Sequence, residues 1–245
     1  MATIPHPAET LIFSGTALPA AAQNDLPRPR KRRTVLKRLL LIAFVFFFIR
    51  TFLGEAALVP TSSMEGTILV GDHILMNKML YGPEIPFTSY RLPFLRSVQK
   101  KDIVAFYYPR NPQLIFLKRV AAVGGDRVEI RDDILYVNDA PVREPYAQFD
   151  RRPWKRHPEN MRARIVPAGH LFVLGDNRDN SDDSRYWGMV PDRNVIGEPM
   201  MVYWSYDAPS SAWLDQDPTR QLHFYGSIVT NLFARTRWSR TGFLL

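Results

Sequence analysis

From residue 72 onward the chain is cut into short apolar runs separated by turn formers, and this rhythm limits the fold more than any other feature. Residues 72–77 (DHILMN), 102–108 (DIVAFYY), 114–123 (LIFLKRVAAV), 127–130, 133–137 (DILYV), 170–174 (HLFVL) and 199–203 are rich in β-branched and aromatic side chains. Such side chains suit a pleated, half-buried surface. Between the runs stand Tyr81-Gly82-Pro83, Gly124-Gly125-Asp126, Val137-Asn138-Asp139 and Pro167-Ala168-Gly169, residues that turn the backbone. The chain also carries 20 prolines, which suit strands and turns better than helices. The expectation is a mainly β protein of antiparallel coiled or packed sheets. The main domain is expected over residues 59–207, with the polar, basic residues 141–165 as an excursion or cap.

Upstream of the strands the chain changes character. Residues 28–37 (RPRKRRTVLK) are strongly basic, and residues 39–49 (LLLIAFVFFFI) are an unbroken apolar run of 11. At about 1.5 Å per residue such a run covers roughly half of a ~30 Å hydrocarbon core. Extension to Val59 reaches spanning length if Arg50 and Glu55 sit near the interface. The expectation is one N-terminal transmembrane helix over residues 35–58, preceded by a disordered basic cytoplasmic tail over residues 1–34, since positive charge marks the cytoplasmic flank. A cleaved signal peptide, with Gly54-Glu55-Ala56 as its cut site, is the rival reading. The anchor is preferred because the apolar run begins far from Met1.

The net charge of +8 invites a nucleic-acid reading, but its densest cluster sits beside the apolar run, where anionic lipid is the better partner. No nucleic acid is expected. The absence of cysteine excludes disulfides, thiolate catalysis and Cys-ligated zinc. No HExxH pair occurs among the histidines, so no metal is expected. Residues 208–245 read as a linker followed by a C-terminal segment, either a helix packed on the domain or a helix lying on a membrane surface.

Three segments carry chemistry. The first is residues 60–72, PTSSMEGTILVGD. Serine is a weak nucleophile without a base, and taken alone Ser62 and Ser63 are turn or capping residues. No GxSxG elbow surrounds them, which disfavours an α/β-hydrolase. The second is residues 116–126, FLKRVAAVGGD. Lys118 is either a sheet-margin lysine or a buried amine whose desolvation frees it to act as a base. The third is residues 175–188, GDNRDNSDDSRYWG. It lacks the central Gly and closing Glu of an EF-hand, and its density of hydrogen-bonding side chains reads as a rigid scaffold loop.

In this order the three segments resemble the bacterial type I signal peptidases, also called leader peptidases. That family has Ser-Met after a membrane segment, then Gly-Asp, then Lys-Arg with a Gly-Asp turn, and finally GDNRDNSxDSRxWG. The resemblance covers about residues 35–205. It implies a membrane-bound serine endopeptidase that removes signal peptides from exported pre-proteins after small-x-small (Ala-x-Ala) motifs. The domain would lie on the outer face of the plasma membrane, with no cofactor. Ser63 is then the nucleophile and Lys118 its general base. Ser181 orients the amine, and Thr61 joins the Ser63 N–H in the oxyanion hole. Asp183 and Arg185 give structural support. Val59, Pro60, Met64, Ile68, Ile74, Phe116 and Leu117 line the substrate pockets.

Three positions depart from the pattern. Gly66 replaces a common proline, which implies a looser turn. Phe116 replaces a tyrosine, and Thr61 a serine. Two rivals remain: a related membrane peptidase devoted to one pilus or conjugal-transfer substrate, and a non-catalytic membrane-anchored β-domain that binds peptides or lipid.

Overall fold

The computed structural model describes residues 30–48, 50, 54–85, 88, 90–150 and 159–245. The chain forms two compact units, residues 1–43 and 44–245. In the described part of the first runs helix α1 (Arg30–Phe48), which continues into the second.

Two expectations about this region need correcting. Residues 30–34, assigned to a disordered tail, belong to α1; residues 1–29 lie outside the described residues. The transmembrane helix expected over residues 35–58 does not run that far. Gly54–Leu58 is strand β1, paired antiparallel with β2 (Asp72–Asn77), Gly54 opposite Asn77. Pairing satisfies its backbone groups in the sheet, and Glu55 is met by Lys78 at 3.1 Å, so neither needs a membrane interface. Among the described residues no helix is long and apolar enough to cross a membrane. The basic residues of α1 leave only its second half apolar.

The β expectation holds. The remaining strands are β3 (Ile103–Tyr108), β4 (Asn111–Val123), β5 (Arg127–Arg131), β6 (Ile134–Val137), β7 (Ala140–Pro141), β8 (Met161–Ile165), β9 (His170–Leu174), β10 (Val190–Pro191), β11 (Val195–Ser205) and β12 (Phe243–Leu244). They build two antiparallel sheets. One runs β1-β2-β11-β3-β4-β9-β10, with β12 also on β11; the other runs β7-β6-β5-β8. Strand β2 shows why the pattern was readable: Asp72, Ile74 and Met76 are buried while His73, Leu75 and Asn77 are half-buried, the period of two of a strand with one covered face.

The excursion expected over residues 141–165 ends in structure. Met161–Ile165 pairs with β5, and residues 151–158 lie outside the described residues. Residues 208–245 are integral to the domain. They form α2's successors along the chain: after α2 (Ser184–Trp187) come α3 (Ser210–Trp213), α4 (Pro218–Thr230) and α5 (Leu232–Arg235). Ile228 of α4 is buried against Tyr206 and Ala208, with Trp213, Phe224 and Leu232 packed around them.

Candidate active site

The site is assembled from three elements distant in sequence. Ser63 sits in a turn after β1 that closes on itself: Glu65 N donates to Ser62 O, and Thr67 N and Ile68 N donate to Met64 O, at 3.0, 3.1 and 2.9 Å. Gly66 takes φ +112° there, and a Cβ would meet Gln148 Nε2 at 2.7 Å. Proline, fixed near −65°, cannot adopt that conformation. The departure expected to loosen the turn is therefore part of a closed turn of different geometry.

Lys118 lies mid-strand in β4, with Val104 of β3 opposite it. Strand alternation gives it the same face as Phe116 and Val120, both packed into one apolar cluster with Val104 and Phe106. The side chain is enclosed, the residue being 4% exposed. Its Nζ donates to Ser63 Oγ at 2.6 Å. Burial lowers the ammonium pKa to about 8; Asp183, Asp182 and Asp176 pull it back up and Arg185 pushes it further down, and desolvation outweighs them. Two of those carboxylates are themselves paired. Arg185 Nε and Nη2 donate to the two oxygens of Asp183 at 2.7 and 2.9 Å, and Arg119 forks onto Asp176 at 2.8 and 2.7 Å.

The loop of residues 175–188 holds the serine turn in place. Asn177 N donates to Ser63 O at 3.0 Å, Asn177 Nδ2 to Ser62 O at 3.2 Å, and Asn180 Nδ2 to Ser62 Oγ at 2.7 Å. Thr67 Oγ1 donates to Asp176 Oδ2 at 2.7 Å. Gly175 permits this approach: a Cβ there would lie 2.2 Å from Ser181 Oγ and 2.6 Å from Ser63 O. The Ser181 hydroxyl donates to Asp183 Oδ2 at 2.8 Å, which leaves its lone pairs as the means of meeting an amine. Thr61 is exposed on the approach to the turn.

The residues expected to line the pockets divide in two. Val59, Met64, Ile68, Ile74 and Leu117 come together in one apolar cluster with Met76, Ile103, Ala105 and Val202. Met64, Ile68 and Ile74 are almost completely enclosed. Phe116 joins a different cluster, its ring stacked on Tyr108 at 4.6 Å, and Pro60 is half-buried. A cavity of about 190 Å³ opens elsewhere, among Lys100, Lys101, Val120, Leu135 and Tyr146, and includes neither Ser63 nor Lys118.

His73 and His170, imidazoles that could otherwise serve as bases, are both engaged locally. His73 Nδ1 lies 3.2 Å from Gly71 O and His170 Nδ1 3.1 Å from Ala168 O. Among the described residues no group of three or more His, Asp or Glu is arranged to hold a metal ion. Sequence reasoning passed over Asp176, Arg119, Asn177 and Asn180 as individuals, although all stand inside the quoted motifs. Gln148 carried no local signal at all.

Residues 32–204 match the family described as signal peptidase, peptidase S26. The signal peptidase I of Pseudomonas aeruginosa is 34% identical over 69% of this chain and 71% of its own length. That of Aquifex aeolicus is 29% identical over 73% and 86%. A crystal structure of a signal peptidase I from Enterococcus faecalis V583 shares 35% identity over 42% of this chain and 97% of its own, with a TM-score of 0.36; the kinship rests on sequence, not on superposition.

Proposed function

The chain belongs to the signal peptidase family, peptidase S26, and from that premise we propose that it is a membrane-associated serine endopeptidase that removes signal peptides from exported pre-proteins. The observation that carries the proposal is the 2.6 Å contact between a buried lysine amine and a serine hydroxyl. An unperturbed lysine is neutral in roughly one molecule in 3,000 at pH 7. With its pKa lowered to about 8, Lys118 is neutral in about one in ten, and a general base near the working pH is what proton abstraction needs.

In this mechanism neutral Lys118 takes the proton of Ser63 Oγ along the path that the resting hydrogen bond already spans. The alkoxide attacks the carbonyl carbon of the residue before the cut. Thr61 Oγ1 and the Ser63 N–H stabilise the oxyanion. The tetrahedral intermediate collapses to an acyl-enzyme as the amine of the mature protein leaves with the proton from Lys118. Water, activated by the same amine, then releases the signal peptide. Asp183 and Arg185 hold the frame, and Ser181 orients the amine. The apolar cluster under Ser63 favours small apolar side chains, in keeping with small-x-small cutting.

Lipid is the second proposed partner. The side chains of Leu39–Leu41 and Phe44–Phe48 are exposed and follow a basic run, a pairing that favours contact with an anionic bilayer. We place the domain after residue 59 on the outer face and the basic run toward the cytoplasm. The test is to incubate the full chain in lipid or detergent with a pre-protein and map the cut by mass spectrometry. A single cut after a small residue, lost in Ser63→Ala, supports the proposal; cutting that survives Ser63→Ala sinks it.

A further inference from the structure

Beyond residue 204, where the family match ends, two arginines return to the turn that carries Ser63. Arg240 Nη2 donates to Thr67 O at 2.9 Å and to Asp72 Oδ2 at 2.6 Å, and its Nε lies 3.1 and 3.2 Å from the two oxygens of Asp72. Arg237 Nη1 donates to Val70 O at 2.8 Å, while its Nη2 pairs with Asp207 at 2.6 Å. Asp72 is fully buried and also accepts from Leu69 N at 2.8 Å. The stretch between Val59 and Asp72 is tied at its base, Val59 N to Asp72 O and Gly71 N to Val59 O, each at 2.9 Å.

This stretch is therefore held from two sides. Residues 176–180 hold its first part, through Ser62, Ser63 and the Thr67 hydroxyl. The C-terminal arginines hold its second part. Thr67 belongs to both: its hydroxyl donates to Asp176 and its carbonyl accepts from Arg240. The segment bearing Arg240 is fixed in turn, since Gly242 N donates to Val202 O at 2.8 Å and Leu245 N to Met200 O at 3.0 Å, with Phe243 opposite Val202 in the sheet.

We propose that Arg240 is a positioning residue for the peptidase reaction, fixing through Thr67 O and Asp72 the turn that aims Ser63 at Lys118. The proposal rests on the Ser63–Lys118 reading given above. Guanidinium suits the task because its planar fork serves a carboxylate and a carbonyl at fixed angles. An ammonium in its place keeps the charge beside Asp72 and gives up one of the two acceptors. A reacting group displaced by about 1 Å loses on the order of 10²-fold in rate.

The test compares the full-length wild type with Arg240→Lys and Arg240→Ala, with Arg220→Ala as the control. Among the described residues Arg220 pairs with Asp215 and Asp217 on the surface. Cleavage of a small-x-small peptide is measured well below each melting temperature, alongside hydrogen exchange of residues 62–72. Arg240→Lys should lower kcat by about 10- to 100-fold with KM within twofold and the midpoint of the pH profile unmoved, because the apolar enclosure of Lys118 is intact. Exchange of the Leu69 and Asp72 amides should rise while residues 170–175 stay protected. Arg240→Ala should lose more, with part of kcat restored by added guanidinium ion; Arg220→Ala should match wild type. A folded Arg240→Lys with wild-type kcat, or one whose only change is a lower melting temperature, overturns the proposal. Failure of the underlying reading looks different: the wild type itself does not cut, or Ser63→Ala cuts equally well.

Discussion

Lys118 and Arg119 are neighbours in β4 and stand in opposite electrostatic regions. On one side of the strand, Lys118 shares its face with Phe116 and Val120 of an apolar cluster and donates to a neutral partner, the Ser63 hydroxyl. On the other, Arg119 is forked onto Asp176, bonded to Thr67 Oγ1 and to Lys101 O, and laid over the Tyr146 ring. In the paired region each charge is matched within hydrogen-bonding distance. The apolar region holds a charge that is costly to keep and easy to lose. The two meet at the loop of residues 175–188, whose Asp176 and Asp183 draw the Lys118 pKa up while burial draws it further down.

The largest expected effect comes from removing the difference between the two regions. Lys118→Arg places a group that stays protonated beside Ser63, and cleavage should fall by at least ~10⁴-fold while circular dichroism shows a folded chain. Near-wild-type cutting in this variant would refute the dyad and return attention to His73 and His170. Breaking the paired region acts on stability first. Asp176→Asn leaves Arg119 without its carboxylate in a mostly enclosed place, and urea unfolding should show a loss of about 3–5 kcal/mol, with cleavage falling as the serine turn loosens.

Lys118→Met should act in the opposite direction. The folded-state pKa of about 8 lies below the unfolded value near 10.5, so the wild type carries a penalty that is full below pH 8 and disappears as pH rises toward 10.5. The inactive Met variant should be more stable by up to about 3 kcal/mol at pH 7, and the gap should narrow between pH 8 and 10.5 in parallel denaturation curves. A gap independent of pH would mean that the amine is not desolvated. The smallest effect is Ser62→Ala, which removes one bond from Asn180 at an exposed position. Stability should drop by about 1 kcal/mol or less, and most activity should remain; a fatal Ser62→Ala would shift the nucleophile by one residue.

The strands could be read because a sheet with one covered face writes a period of two into the sequence, as in β2. The failures are also physical. Gly54–Leu58 (GEAAL) has no β-branched residue and continues an apolar run, so it looked like the end of a helix; its partner β2 makes it a strand. In β8 only Met161 is buried, and a strand exposed along most of its length leaves no alternation to detect. Ser63 and Lys118 could be put forward as a pair only through the resemblance carried by three motifs in order; taken alone, neither segment singled them out. Gln148 and Arg240 were not legible, since both reach the serine turn across long sequence separations that leave no spacing to recognise.

The rate of signal-peptide cleavage against pH tests the central claim most directly, through the kcat/KM of the free enzyme. An amine lowered to about 8 by burial requires the rate to rise from pH 6 through an ascending limb with its midpoint near 8, about tenfold per pH unit on the acid side. A limb centred near the histidine range, or a rate that does not change between pH 7 and 9, would contradict a neutral Lys118 as the base for Ser63.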